Sequence, residues 1–281
     1  MKKLFLTAIA LCMSVALFAQ DTFLWKVSGN GLTKDSYVFG TLHMACGQDF
    51  KIENKVNEAL KTTDRIAFEI DANNPETLKA MQANMGPVPG FFDGLAPEKK
   101  KVIDSVLMTR NLNSAILDKV GPAMLLSILS IQGFECANPT DFKMMELELK
   151  KLEGAAGKPV DELETVEFQI NMMNEFFKAE DLYNYVLQID SVKSQTKHLV
   201  QAYFGQKPAA LEEWLAKTST MTPEKEAMML TNRNKEWMTK MPDMMKNNSM
   251  FFAVGAAHLM GKNGILQLLK DKGYTLTPIL N

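Results

Sequence analysis

The chain has 281 residues, 46% of them hydrophobic and 23% charged, with a formal charge of −2. So even a balance provides no concentrated basic face, which excludes nucleic acid as a partner. Past the first 19 residues no segment is apolar enough to cross a bilayer, and the roughly 260 that remain fit one large domain with a substantial core.

The opening, MKKLFLTAIALCMSVALFAQ, carries two lysines, an apolar run and Phe18-Ala19-Gln20. This is the pattern of a secretory signal peptide cut after Ala19. The run is too short for a persuasive membrane span. Leu11 precedes Cys12, where a lipoprotein site would want a small residue. Residues 20–281 are therefore expected as a single exported domain, periplasmic or extracellular, with no transmembrane segment. Cys46 and Cys136 remain in it. They either pair in an oxidising compartment or sit as two buried thiols.

The mature chain begins with strand patterns. Leu24-Trp25-Lys26-Val27 and Tyr37-Val38-Phe39 flank Gly29-Asn30-Gly31, a hairpin signal. The segment MACGQDF after His43 reads as a loop. Ile52, Val56 and Leu60 recur at helical spacing. Arg65 to Asp71 reads as a strand with an apolar core and an acidic end. From about Pro75 to Asn248 the pattern is overwhelmingly helical, with Pro97 and Pro122 where a first helical turn accepts proline. One long helical stretch runs from Asp181 to Tyr203. The end returns to the opening order: strand Met250–Val254, loop GAAHLMGKNG, helix Ile265–Lys270, strand Tyr274–Leu280. The predicted class is α/β, a mixed sheet made by the two terminal units with a large helical insertion at about 75–248.

Both terminal units carry Gly-x-x-His after an apolar strand: Gly40-Thr41-Leu42-His43 and Gly255-Ala256-Ala257-His258. If both join one sheet, their histidines leave strand carboxyl ends, where open α/β sheets bind ligands. Two imidazoles there could share a metal, with a carboxylate as natural third ligand and a position left for water. Glu69, in Phe68-Glu69-Ile70-Asp71, is the best candidate. Asp71, two residues on, would share its face and orient a ligand or take a proton. The competing reading is a pair of structural, hydrogen-bonding histidines. The third histidine, His198, lies in a polar helical stretch and reads as surface or satisfied.

Several stretches together resemble the TraB/GumN family: YVFGTLH, FEID, KPVDELETVEFQ (158–169), NRNKEW (232–237) and FFAVGAAHLMGKNGILQLLKDKGYTLTPI. The resemblance covers essentially the whole mature chain. Through that family's relationship to the Tiki metalloproteases it implies a hydrolase of peptides or proteins, with manganese or cobalt favoured and zinc an alternative. By position, His43, His258 and Glu69 become metal ligands, with Glu69 either third ligand or general base. The implied fold is a mixed sheet with a helical insert, like that of the erythromycin esterase and ChaN-type proteins. Cys46 could add a thiolate and shift preference toward zinc.

Arg233 and Asn234 share a helix with Trp237. Arg233 either grips a substrate carboxylate or holds Glu69 in place, or merely packs the helix. Glu164, Thr165, Glu167 and Gln169 either orient the histidines, or Thr165 caps a helix with Phe168 packing inward. The 20 methionines fill helical cores or line a groove for apolar peptide segments, with copper(I) binding the remote alternative. The alternative to an enzyme is a non-catalytic metal-, haem- or peptide-binding protein on the same crevice. Oligomeric state is not legible.

Overall fold

A computed structural model describes residues 22–280 apart from 139, 219 and 220. The signal-peptide segment, 1–19, lies outside the described residues. Two strands, β1 (Leu24–Ser28) and β2 (Ser36–Thr41), form the expected antiparallel hairpin. β3 (Met44–Cys46) and helix α1 (Asn54–Lys61) follow, then β4 (Arg65–Phe68). Helices α2 (Pro75–Asn84), α3 (Pro97–Met108) and α4 (Pro122–Ile131) open the insertion.

The insertion is less purely helical than its sequence suggests. β5 (Phe142–Met144) pairs with β3 as a separate two-stranded ribbon, inside what reads as a loop and a helix. Helix α5 (Met145–Lys150) begins directly from it. β6 (Val160–Glu162) then joins the edge of the main sheet. Strands of three residues are too short to show a period, which is why the pattern hides them. Helices α6 (Val166–Phe176), α7 (Ala179–Leu187), α8 (Ile189–Phe204) and α9 (Pro208–Thr218) come next, the long stretch from Asp181 being two helices. A short α10 (Pro223–Glu226) leads through a π-helical turn, Ala227–Thr231, into α11 (Asn232–Asn247). The chain closes with β7 (Met250–Gly255), a 3₁₀ turn at Ala256–Leu259, α12 (Ile265–Asp271) and β8 (Thr275–Pro278).

The six-stranded sheet runs β6-β4-β7-β2-β1-β8. β6, β4, β7 and β2 are mutually parallel, while β1 runs antiparallel to both β2 and β8. β7, MFFAVG, sits in the middle and is buried along its whole length, as a parallel strand covered on both faces must be. Its side chains alternate between two cores. Phe251 and Ala253 pack with Phe39, Ile66, Phe68 and Leu60. Phe252 and Val254 pack with Val38, Ala67, Trp237 and Met241. The insertion has a third core of its own, from Ile103, Leu107, Leu125, Leu129, Phe177 and Leu182. Met145, Met172, Met238, Met241, Met245 and Met250 are buried, so core filling accounts for many of the methionines.

Cys46 and Cys136 are joined in a disulfide. It ties the end of β3 to the segment leading into β5, and it removes the thiolate that Cys46 would have offered a metal. No helix among the described residues is long and apolar enough to cross a membrane.

Candidate functional site

The sheet order explains why distant residues meet. β2 and β7 are parallel neighbours, with Gly40 opposite Val254 and Thr41 opposite Gly255. β4 pairs with the other side of β7, Phe68 opposite Ala253. Three adjacent strands therefore end at one edge, and His43, His258 and Glu69 leave from their carboxyl ends.

They converge on Gly255. Its N–H donates to Glu69 Oε1 at 2.8 Å. A Cβ on Gly255 would lie 3.2 Å from His43 Nε2, 3.3 Å from Glu69 Oε1 and 3.6 Å from His258 Cδ2. A Cβ on Gly40 would stand 3.0 Å from Ala256 Cα and 3.1 Å from Leu259 Cδ2. Both glycines of the paired motif thus serve close approach. Neither has a positive φ, so backbone freedom is not their reason.

Each imidazole is held by its Nδ1. In the buried His258, Nδ1 lies 2.6 Å from Asn234 Oδ1, and Asn234 Nδ2 donates to the carbonyls of His258 and Asn263 at 3.2 and 2.9 Å. With its amide nitrogen so engaged, Asn234 offers only oxygen to the ring. His258 therefore carries its proton on Nδ1 and keeps a lone pair on Nε2. Arg233 Nη1 donates to that Nε2 at 3.1 Å. In His43, whose side chain is 57% exposed, Nδ1 lies 2.9 Å from Glu146 Oε1. Thr41 Oγ1 donates to the same oxygen at 3.2 Å.

Arg233 is the buried hub. Its Nη2 donates to Glu69 Oε2 and Glu164 Oε1, its Nε reaches Glu164 Oε1 and Oε2 at 3.0 and 3.2 Å, and its Nη1 reaches the Met229 carbonyl at 3.0 Å. Gln169 Nε2 bridges the two carboxylates, 3.2 Å from Glu69 Oε2 and 2.7 Å from Glu164 Oε1. Trp237 Nε1 donates to Glu164 Oε2 at 3.2 Å, and its ring stacks at 4.5 Å on that of His258. Every acceptor of Glu164 is thereby used within the protein. Glu69 keeps Oε1 turned toward the histidines, 3.8 Å from His258 Nε2.

The charges follow from these neighbours. Burial alone would raise the Glu69 carboxyl, but His258, His43, Arg233 and the Gly255 N–H hold it down to about 2. Burial pushes His258 down to about 3, against the pull of Glu69, with Arg233 and His43 adding to the fall. The cleft walls oppose a charge on His43, but Glu146, by hydrogen bond and charge, and Glu69 outweigh them and raise it to about 9.

In kind, this donor set suits a divalent cation: two imidazole nitrogens and an ionised carboxylate oxygen. Glu69, Glu164 and Glu146 place three carboxylates around it, against the guanidinium of Arg233 and an imidazole, His43, that is itself held in its protonated form up to about pH 9. Yet among the described residues no three His, Cys, Asp or Glu side chains form a group that could hold a metal as they stand. Arg233 takes up the His258 lone pair instead.

Of the residues singled out from sequence, His43, His258, Glu69, Arg233, Asn234, Glu164 and Gln169 come together. Asp71 does not. β4 ends at Phe68, so the strand alternation that would align Asp71 with Glu69 stops short, and Asp71 pairs with Lys150 at 2.9 Å. Thr165 caps α6, accepting from the Phe168 N–H at 3.2 Å, but Phe168 is exposed rather than packed inward. His198 is exposed, with Nδ1 2.7 Å from the Ser194 carbonyl one turn back. Glu146 escapes sequence reading. Its partner is 103 residues away, and nothing local distinguishes it from Glu148 in the same MELELK stretch.

A parallel-centred α/β sheet with histidines and a carboxylate at adjoining strand ends defines a protein whose candidate site is built from both ends of the chain. The TraB/PrgY/gumN family profile matches residues 23–278, and the chain belongs to that family. No curated protein and no solved structure matches it.

Proposed function

We propose that this TraB/PrgY/gumN protein is an exported, divalent-metal-dependent hydrolase acting on peptides or proteins. The observation that carries the reading is the meeting of His43, Glu69 and His258 around Gly255. His43 Nε2, Glu69 Oε1 and His258 Nε2 are the atoms that would hold the ion, once Arg233 Nη1 yields His258. With Cys46 in a disulfide, the set is nitrogen and oxygen only, which suits manganese or cobalt, with zinc an alternative. Export is supported by the leader pattern of the first 19 residues and by a disulfide, which persists in oxidising compartments.

When bound, such an ion supplies Lewis acidity toward a carbonyl and lowers the pKa of water. The chain's own residues have separable parts. Arg233 and Gln169 keep Glu69 ionised and oriented. A carboxyl held at about 2 is a poor proton acceptor near neutrality, which favours Glu69 as an anionic ligand over a general base. Asn234 fixes the His258 tautomer that leaves Nε2 free to donate its lone pair. His43, on the exposed side, faces the approaching substrate.

Metal analysis of protein purified without chelators tests this. The wild type should retain a divalent ion and the His43→Ala/His258→Ala variant should not. A peptide library supplied with manganese, cobalt or zinc should show cleavage that His43→Ala abolishes. Equal metal content in wild type and double variant would sink the reading. A holder without turnover would use the same three ligand atoms. Metal retention with no cleavage of any library member is the outcome that selects it.

A further inference from the structure

We infer that Glu146 is a positioning residue for His43: its carboxylate holds Nδ1–H and so turns Nε2 toward Gly255 and Glu69. The inference rests on His43 being a ligand, and it assigns the work of aiming it. The ring needs such a holder. It is 57% exposed, and a half-exposed imidazole is otherwise free to turn about both side-chain torsions. Among the described residues its ring makes one side-chain hydrogen bond, of 2.9 Å to Glu146 Oε1.

The backbone puts Glu146 there. β3 and β5 pair with Met44 opposite Met144. The ladder runs on by one bond, the Met145 N–H donating to the His43 carbonyl at 2.9 Å. Glu146, the next residue, is in the first turn of α5 and returns its side chain over the His43 loop. Thr41 Oγ1, at 3.2 Å, fixes the same oxygen. No lysine or arginine pairs with Glu146 among the described residues. The nearby Lys150 is taken by Asp71. The Glu146 carboxylate, only 18% exposed, is thus reserved for the imidazole. His258 is held in the same way by Asn234, so the two rings are anchored at Nδ1 by one charged and one neutral oxygen. An acceptor behind a ligating imidazole fixes its tautomer and the direction of its Nε2.

The test compares Glu146→Ala, which removes the acceptor, with Glu146→Gln, which retains an oxygen able to accept from Nδ1–H. In ¹⁵N-labelled protein the His43 Nδ1–H should give a downfield, slowly exchanging signal, assigned by its loss in His43→Ala. It should vanish in Glu146→Ala and persist in Glu146→Gln. Calorimetric titration with Mn²⁺ should show affinity falling about 10–100-fold in Glu146→Ala, staying near wild type in Glu146→Gln, and not falling further when Glu146→Ala is added to His43→Ala. A merely structural role would weaken both variants in every background. Absence of the signal in the wild type, or its survival unchanged in Glu146→Ala, overturns the inference, as does a Mn²⁺ affinity that Glu146→Ala leaves intact. A wild type that binds no Mn²⁺ but shows the expected proton signals fails the metal reading alone and leaves Glu146 as the holder of the ring.

Discussion

Arg233 sits between two buried carboxylates, and its removal should be felt before any chemistry is measured. Arg233→Met leaves Glu69 and Glu164 buried and close without the guanidinium between them, held only by the neutral donors Gln169, Trp237 and the Gly255 N–H. Such a loss costs about 3–5 kcal/mol, readable as a lower urea midpoint at pH 7. The sign with pH is also set. Glu69 is depressed to about 2 from its ordinary 4.5. Its stabilising contribution is present above 4.5 and disappears as pH falls toward 2. In Arg233→Met, where Glu69 is released upward, this acidic loss of stability should shrink, and a wild-type dependence of the urea midpoint on pH across that range would contradict the network described. Glu69→Gln should release the bound metal, given the ligand role; metal retained with turnover lost would make Glu69 the base instead. His43, raised to about 9, must shed a proton to ligate. Metal affinity should therefore strengthen from pH 7 to 9, by up to about tenfold per unit, and His43→Ala should flatten that slope. His43, His258 and Glu69 were legible because a repeated strand–Gly-x-x-His pattern and an acidic strand end mark them. Glu146 was not, because side-chain pairs across a hundred residues leave no local trace.

At the scale of elements, β7 does most to assemble the site. Gly255→Ala would set a methyl between His43 Nε2 and Glu69 Oε1, at 3.2 and 3.3 Å. His43 is exposed and can retreat, whereas Glu69 is pinned by Arg233 and Gln169. The fold should survive with a melting temperature near wild type, while metal affinity drops at least about tenfold as one ligand swings away; undiminished affinity in this variant would argue against Gly255 as the point of convergence. The β3–β5 ribbon is closed by the disulfide across a 90-residue separation. Replacing both cysteines by serine should cost about 2–5 kcal/mol, seen as a fall in thermal midpoint relative to the oxidised wild type. Apolar runs made the long strands and most helices readable. The three-residue β3, β5 and β6 were invisible because their identity lies in what they pair with, not in their own alternation.

Across the whole molecule, the two cores on the sheet and the separate core of the insertion describe a protein of unequal parts. Helices α3, α4 and α7 bury Ile103, Leu107, Leu125 and Leu182 against one another, away from the strands that carry the site. Native-state hydrogen exchange should find these helices opening at lower free energy than β2, β4 and β7. Leu125→Ala should cost about 2–5 kcal/mol, concentrated in the insertion, and leave metal affinity unaltered. Equal protection across helices and sheet would show one cooperative unit instead. The α/β class and the placement of a long insert between two matching units were readable from the order of apolar patterns. That one piece of the insert, β6, returns to edge the main sheet was not, since register across 94 residues, as between Ile66 and Val160, is a tertiary fact.

β7 lies between β4 and β2 although it follows them by well over a hundred residues. A nascent chain must therefore hold two parallel strand edges apart, neither able to satisfy the other, until nearly all of it has been synthesised. Such long-range closure is slow and exposes sticky edges while it waits. It also means that the candidate site cannot be assembled early: an incomplete chain carries His43 and Glu69 but no His258, and the three meet only when its last strands drop into place.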